Sequence, residues 1–210
     1  MSEVSKLAKC AARGAGLSWG MADEAADATV WLASYGLPGP KLLARLLQLN
    51  DDVASPELST NTLSGVWSAP SGRLCPLLAG AALSDSAQQL DSGDIDMAGV
   101  TDPLLLVPFA ASVALANKQT IGVEWQGVSI VTDGTALHIS GNDADVATQC
   151  VTSVKCGPRP MPAGNAPIET RVHVNTHCWT VLSALAQRTY APATETSRLL
   201  GAGASLGDND

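Results

Sequence analysis

Apolar residues recur at helical spacing through the first fifty positions. Small and aliphatic residues form a stripe across positions 4–15, which predicts an amphipathic first helix ended by Gly14 or Gly16. A second helix is predicted to follow, with Ser18 as its N-cap and Gly36 as a left-handed residue at its end. A third helix is expected from the prolines at 38 and 40 to about residue 50. The opening of the chain therefore predicts a helical layer.

The next hundred residues contain two different patterns. Pro, Gly and Ser interrupt residues 51–103, which predicts long connections with one or two short helices. The run LLLVPFAASVALA at 104–116 is apolar on all sides. Because Pro108 lies inside it, we expect a short buried strand and then a helix.

Alternation of apolar and polar residues is clearest in TIGVEWQGVSIVTDGTALHISG at 120–141. It predicts three antiparallel strands joined by tight turns at Gln126-Gly127 and Asp133-Gly134. QCVTSVKC at 149–156 and ETRVHVNT at 169–176 predict two more strands, separated by a proline-rich loop. The last strand should lead into a helix that buries Trp179 and Leu182.

These elements predict an α+β fold. We expect a single domain over residues 1–210, with an N-terminal helical layer at about 1–50 and an α+β part at about 103–210. The α+β part should hold a mostly antiparallel sheet, and a C-terminal helix followed by an ordered tail should complete the chain.

Composition narrows the class of partner. The chain is 46% apolar and 15% charged, which is typical of a folded protein. Its net charge is −8, and residues 51–102 carry eight acids against one base, so nucleic acid is not an expected partner. No apolar stretch is long enough for a membrane span. Five dispersed cysteines without a CxxC pair are expected to be reduced thiols, which favours a cytoplasmic protein.

Two constellations of metal-binding or nucleophilic residue types can be considered. His173 and His177 are four residues apart, but one falls on a predicted strand and the other in a helix, so no metal site is expected. Cys156 and Cys178 are candidate nucleophiles that could pair with His177 or His138. Buried structural cysteine is the commoner role for such residues.

The C-terminal segment, 190–210, concentrates polar and glycine residues just after a predicted helix. An arginine and glycine amides could hold an anion there, while a carboxylate or phenol moves a proton. A flexible, exposed end is the alternative. No Walker or dinucleotide-binding motif occurs, so no cofactor is specified. The catalytic candidates are Tyr190, Glu195 and His177, and the ligand-binding candidates are Ser197, Arg198, Gly201, Gly203 and Trp19.

Two segments carry a resemblance to a known family. AARGAGLSWGMADEAADATVWLASYGLPG at 11–39 and RTYAPATETSRLLGAGASLGDND at 188–210 resemble a family of bacterial, largely proteobacterial, proteins known only as a domain of unknown function. The resemblance spans nearly the whole chain. It implies that the tail belongs to the domain, and it brings no activity, fold or cofactor.

Two functions follow as expectations. The first is a cytoplasmic protein of bacterial metabolism, an enzyme or enzyme subunit, that binds a small anionic metabolite near the C-terminal segment. The second is a non-catalytic homo-oligomer whose tail packs on a neighbouring subunit through Tyr190, Leu199 and Leu200.

Overall fold

The computed structural model describes residues 2–164 and 175–190. Its first three helices are α1 (Ser2–Gly14), α2 (Trp19–Ser34) and α3 (Gly39–Leu49). The Ser18 side chain accepts a hydrogen bond from the Met21 N–H at 3.2 Å, and Gly36 has a φ of 71°. The predicted N-terminal helical layer, with its caps, is confirmed.

Five further helices and five strands follow in the described residues. The helices are α4 (Ser55–Leu58), α5 (Pro76–Asp85), α6 (Val107–Asn117), α7 (Asp143–Val146) and α8 (Thr176–Gln187). The strands are β1 (Ile95–Thr101), β2 (Ile121–Trp125), β3 (Val128–Thr132), β4 (Leu137–Ser140) and β5 (Cys150–Pro158). Two short 3₁₀ helices occupy Ala87–Ser92 and Pro103–Leu106.

The strands form one antiparallel sheet in the order β1-β5-β2-β3-β4. Val123, at the centre of the sheet, pairs with Ile130 of β3 on one side and Cys156 of β5 on the other. Helix α6 packs on β2 and β3. The predicted α+β fold and the predicted meander of three strands are therefore confirmed.

Two predictions for the middle of the chain were wrong. Strand β1 was not predicted, because Gly99 interrupts its apolar alternation and the surrounding residues are rich in Gly and Ser. Its backbone is nevertheless held on one side by β5 and on the other by short parallel bridges from Trp67 and Leu74. The short strand expected at the start of residues 104–116 is a 3₁₀ helix, because Asp102 takes a left-handed conformation that turns the chain out of β1.

Helix α8 returns to the N-terminal layer and packs against α1 and α3. Asn175 caps it by accepting the Cys178 N–H at 2.8 Å. Its buried face consists of Cys178, Leu182, Leu185 and Ala186. Trp179, predicted to face inward, is 40% exposed, because Cys178 occupies the inward position of the first turn. Of the strand predicted at 169–176, positions 169–174 lie outside the described residues, and the last two residues belong to α8 and its cap.

One charged side chain is fully buried in the core. Asp102 is 1% exposed and forms an ion pair with Arg45 of α3. Burial raises the pKa of the Asp102 carboxyl group, and the Arg45 guanidinium partly opposes that rise. The pair ties the helical layer to the turn that follows β1.

A second arginine fixes one end of the sheet. Arg159, just after β5, donates to both oxygens of Asp94 at 2.8 and 2.9 Å and to Glu124 of β2 at 2.8 and 3.0 Å. Gly122 and Gly157 face each other in the register, where a Cβ would overlap the Arg159 side chain or the Asp94 carboxylate. The glycine pair therefore makes room for the ion pairs.

Throughout residues 2–164 and 175–190, every helix falls short of the length and apolar character needed to cross a bilayer.

Candidate functional site

Five of the candidate site residues belong to the C-terminal segment after position 190. Glu195, Ser197, Arg198, Gly201 and Gly203 all lie outside the described residues. The described candidates are Trp19, His177 and Tyr190, at the starts of α2 and α8 and just after α8.

These three side chains are all exposed. His177 and Tyr190 lie near opposite ends of α8, which separates them by about 20 Å along the helix axis. Tyr190 is 69% exposed. The Trp19 ring lies under two cations, with Lys9 Nζ and Arg13 Cζ at 5.7 and 5.5 Å from its centroid. Trp19 therefore stacks with α1, and His177 and Tyr190 do not share one site.

A cavity of about 350 Å³ opens beside the end of α8. Five parts of the chain form it: the turn after α1, the end of α3, the loop before α4, the start of α5 and the last turn of α8. Its polar lining residues are Asn50, Asp51, Asp52, Ser55, Cys75 and Arg188, and its larger apolar ones are Leu17, Leu46, Leu47, Val53, Leu58, Leu77 and Leu78. A volume near the lower end of the range for ligand sites suits a small metabolite.

The rim of the cavity carries an arginine–carboxylate pair. Arg188 Nη1 and Nη2 donate to the two oxygens of Asp51 at 2.6 and 2.8 Å, in a two-point fork. The hydrogen bonds from Arg188 lower the pKa of Asp51, and Asp51 in turn raises the pKa of Arg188. Both side chains remain accessible, at 49% and 27% exposure, so solvent screens the pair.

Gly14 positions Arg188 over the cavity. A Cβ on Gly14 would overlap the carbonyl oxygen of Leu185, so only glycine allows α8 to approach α1 this closely. The same methyl group would lie 3.4 Å from the Cβ of Arg188. Two residues later, Gly16 has a φ of 98°, which lets the chain turn sharply along the cavity wall.

Two further polar side chains of the cavity lining, Asn50 and Cys75, are shielded from water. The Asn50 Oδ1 atom is shielded from solvent and accepts no hydrogen bond from the part of the chain that is described. Burial raises the pKa of the Cys75 thiol, while backbone N–H groups of Leu78 and Leu77 oppose that rise. The lining residues therefore include a buried acceptor that no described group uses and a buried thiol that is protonated at neutral pH.

The other cysteines do not form a reactive site in the described chain. Burial, followed by the nearby Asp94 carboxylate, raises the pKa of Cys156 to about 12, which opposes a role as nucleophile. Cys178 is buried against the core at the start of α8. His138 instead contacts the Gly164 carbonyl oxygen at 3.0 Å. No cluster of three or more metal-binding side chains occurs in the described residues, and His173 lies outside them.

A second cavity, also about 350 Å³, lies between α2 and α6. It is lined by the acids Glu24 and Asp27, by Trp31 and Phe109, and by small residues. The lining includes no arginine or lysine, so this groove disfavours an anion. The cavity at Arg188 is the better candidate for a ligand with a carboxylate.

Sequence reasoning did not predict the cavity, and most of its site candidates lie in residues 191–210, outside the described residues. Asp51 and Arg188 are 137 positions apart, and only the packing of α8 on α1 brings them together. The local sequence gave one usable signal: three consecutive polar residues, Asn50, Asp51 and Asp52, directly after an apolar helix. The role of Cys75 as a lining residue had no signal.

Comparisons with known proteins identify only a part of the chain. No curated protein and no solved structure matches it. Residues 1–75 match the model of a family described as protein of unknown function (DUF3726). The matched part contains the turn after α1, the cavity-lining residues between 50 and 58, and Cys75, whereas Arg188 lies beyond it. The N-terminal part of this protein is thus similar to an uncharacterised family of unknown function, DUF3726.

Proposed function

We propose that this protein binds a small anionic metabolite in the cavity beside Arg188, as a cytoplasmic enzyme or enzyme subunit of bacterial metabolism. The observation that carries the proposal is the two-point fork that Arg188 presents to a carboxylate at the cavity rim. A ligand carboxylate has the same shape and charge as Asp51, so it can take the same two hydrogen bonds.

The exposure of the pair supports this exchange. Arg188 is half exposed and Asp51 about a quarter exposed, so their mutual attraction is weakened by water. Replacing one carboxylate by another at Arg188 therefore has a small net cost. The apolar wall of the cavity adds burial of the rest of the ligand, which is where most of the affinity should arise.

The proposed site also includes residues of the C-terminal segment, 190–210. Tyr190 follows Arg188 by two residues, and residues 191–210 continue from there. We propose that Ser197, Arg198, Gly201 and Gly203 contribute to holding the same anion, and that Glu195 or Tyr190 moves a proton. The resemblance of residues 188–210 to a largely proteobacterial family supports treating the tail and the cavity together.

Native mass spectrometry of the protein as purified, after gentle desalting, tests the proposal first. We expect an additional mass of a few hundred daltons at most, since the cavity admits only a small molecule. Extraction followed by negative-ion mass spectrometry should then identify a carboxylic acid. A measured mass equal to that of the chain alone, with no small acid in the extract, would contradict the proposal.

The second test removes the fork. Arg188→Ala should abolish retention of the small acid while leaving the fold intact, because the side chain is exposed. Lys155→Ala is the matched control, since Lys155 also forms an exposed pair, with Asp96 at 2.8 Å, far along the chain on β5. Equal retention by both variants would remove Arg188 from the site.

One observation favours the alternative of a homo-oligomer. Trp179 and Tyr190, both large and both on or next to α8, are 40% and 69% exposed. Such side chains are typical of protein interfaces. Size-exclusion chromatography with light scattering decides between a monomer and an oligomer, and Trp179→Ser with Tyr190→Ser should dissociate an oligomer built on this helix. Ligand retention unaffected by that dissociation would separate the two functions.

A further inference from the structure

The charges around the Arg188 cavity are unequal. Its described lining contains one cation, Arg188, and two carboxylates, Asp51 and Asp52. In the structure Arg188 is bound to Asp51, and Asp52 forms no ion pair with a described residue. A ligand carboxylate that takes Arg188 therefore leaves two protein carboxylates without a cation, beside a third from the ligand.

An unused acceptor lies in the same lining. The Asn50 Oδ1 atom is shielded from solvent and has no hydrogen-bond partner among residues 2–164 and 175–190. Buried carbonyl oxygens in proteins are nearly always hydrogen-bonded. The next two residues of the chain, Asp51 and Asp52, also line the cavity, and their carboxylates accept hydrogen bonds.

We infer that the ligand is a zwitterion, an α-amino acid with an aliphatic side chain, whose carboxylate binds Arg188 and whose ammonium group binds the carboxylates of Asp51 and Asp52. This inference rests on the proposed function, because it keeps the ligand carboxylate at Arg188 and adds an ammonium group that makes the ligand neutral overall. An ammonium group has three donors and no acceptor, so it can bind both carboxylates. It also returns a cation to Asp51 when Arg188 turns to the ligand.

The remaining wall selects the side chain of the ligand. Leucine and valine side chains from α3, the 50–58 loop and the start of α5 line it: Leu46, Leu47, Val53, Leu58, Leu77 and Leu78. Such a wall favours a branched aliphatic group and disfavours a second charge. The volume of the cavity is sufficient for a single amino acid.

Three probes that share one aliphatic group test the inference by isothermal titration of the full chain. They are L-leucine, its 2-oxo acid 4-methyl-2-oxopentanoate, and 3-methylbutylamine. We expect L-leucine to bind at least about tenfold more tightly than either of the others, since only it engages both charged groups. Equal or tighter binding of the oxo acid would overturn the zwitterion and leave the anion-binding function standing.

Variants sharpen the same comparison. Asp52→Asn, at an exposed residue with a φ of 61° that asparagine tolerates, should weaken L-leucine about tenfold and leave the oxo acid unchanged. Asp51→Asn removes a partner of the ammonium group and also the carboxylate that competes for Arg188, so it should tighten the oxo acid and shift the preference away from L-leucine. Circular dichroism confirms that both variants fold.

The two possible failures are distinguishable. If none of the three probes binds, the aliphatic zwitterion is wrong, and the proposed function is judged separately by the acid that co-purifies with the protein. If L-leucine binds but Asp52→Asn binds it equally well, the carboxylates of Asp51 and Asp52 do not hold the ammonium group and the inference is overturned.

Discussion

Arg159 and Arg188 present the same guanidinium group to carboxylates in two different settings. Arg159 binds two carboxylates and a backbone carbonyl and is 23% exposed. Arg188 binds one carboxylate, is 49% exposed and borders a cavity of about 350 Å³. Arg159 also borders a cavity, of about 560 Å³, but all its donors are engaged within the protein, whereas Arg188 has accessible donors beside its cavity. Engagement of every donor by protein partners is typical of a structural arginine, whereas accessible donors beside a cavity support the binding role that we propose for Arg188.

The largest effect on stability is expected from filling the space beside Gly157 that the Asp94 carboxylate needs for its pair with Arg159. Gly157→Ala would place a methyl group into the Asp94 carboxylate, with the Asp94 backbone also close, so we expect a loss of about 2–3 kcal/mol in the free energy of unfolding. Urea denaturation measures it. Gly20→Ala is the matched control, because that helical glycine has open space around it and should gain slightly in stability. Equal stability of both variants would show that the packing around Asp94 yields easily.

Removing the sheet arginine should have the next largest effect. Arg159→Ala leaves Asp94 and Glu124 without their partner, and we expect a loss of about 1–2 kcal/mol in the free energy of unfolding. Arg159→Lys should recover only part of it, since an ammonium group cannot bridge the two carboxylates with a planar fork. A lysine variant as stable as the original chain would reduce the site to its charge alone.

Acid should abolish the difference in stability between the original chain and Arg159→Ala. Hydrogen bonds from Arg159 lower the pKa values of both Asp94 and Glu124. Their contribution to stability is therefore fully present above about pH 5, beyond the ordinary pKa values of Asp and Glu, and is lost as pH falls through the lowered pKa values of the folded state. Urea denaturation at about pH 2 to 6 covers the charged and the protonated forms of the carboxylates. The free energies of unfolding of the original chain and Arg159→Ala should converge at the acid end of this range. A constant gap would mean that the carboxylates are not the source.

The smallest effect is expected at the cavity. Arg188→Ala should leave the urea midpoint unchanged, because its pair with Asp51 is exposed to solvent. The contrast with Arg159→Ala is the prediction: one arginine supports the fold and the other supports the ligand. A destabilisation equal to that of Arg159→Ala would show that Arg188 is a structural tether of α8.

The sequence was informative where structure is local. Helix periods, the Ser18 cap and the turns of the meander depend on neighbouring residues, and these were predicted. Strand β1 was missed because its stability comes from partners at Trp67, Leu74 and β5, far away in the chain. The same reason hid the cavity, since no local pattern relates Asp51 to Arg188. Trp179 was misplaced because helical spacing alone does not decide which of two adjacent residues faces the core.

The contact between α1 and α8 also affects how the chain folds during its synthesis. On the ribosome, α1 emerges on the order of 10–30 s before α8 is complete, at ordinary rates of bacterial or eukaryotic synthesis. During that interval the face that Gly14 presents to α8 has no partner. The nascent N-terminal helices therefore expose apolar surface to chaperones and to other nascent chains, and a fragment limited to residues 1–75 should aggregate when produced alone.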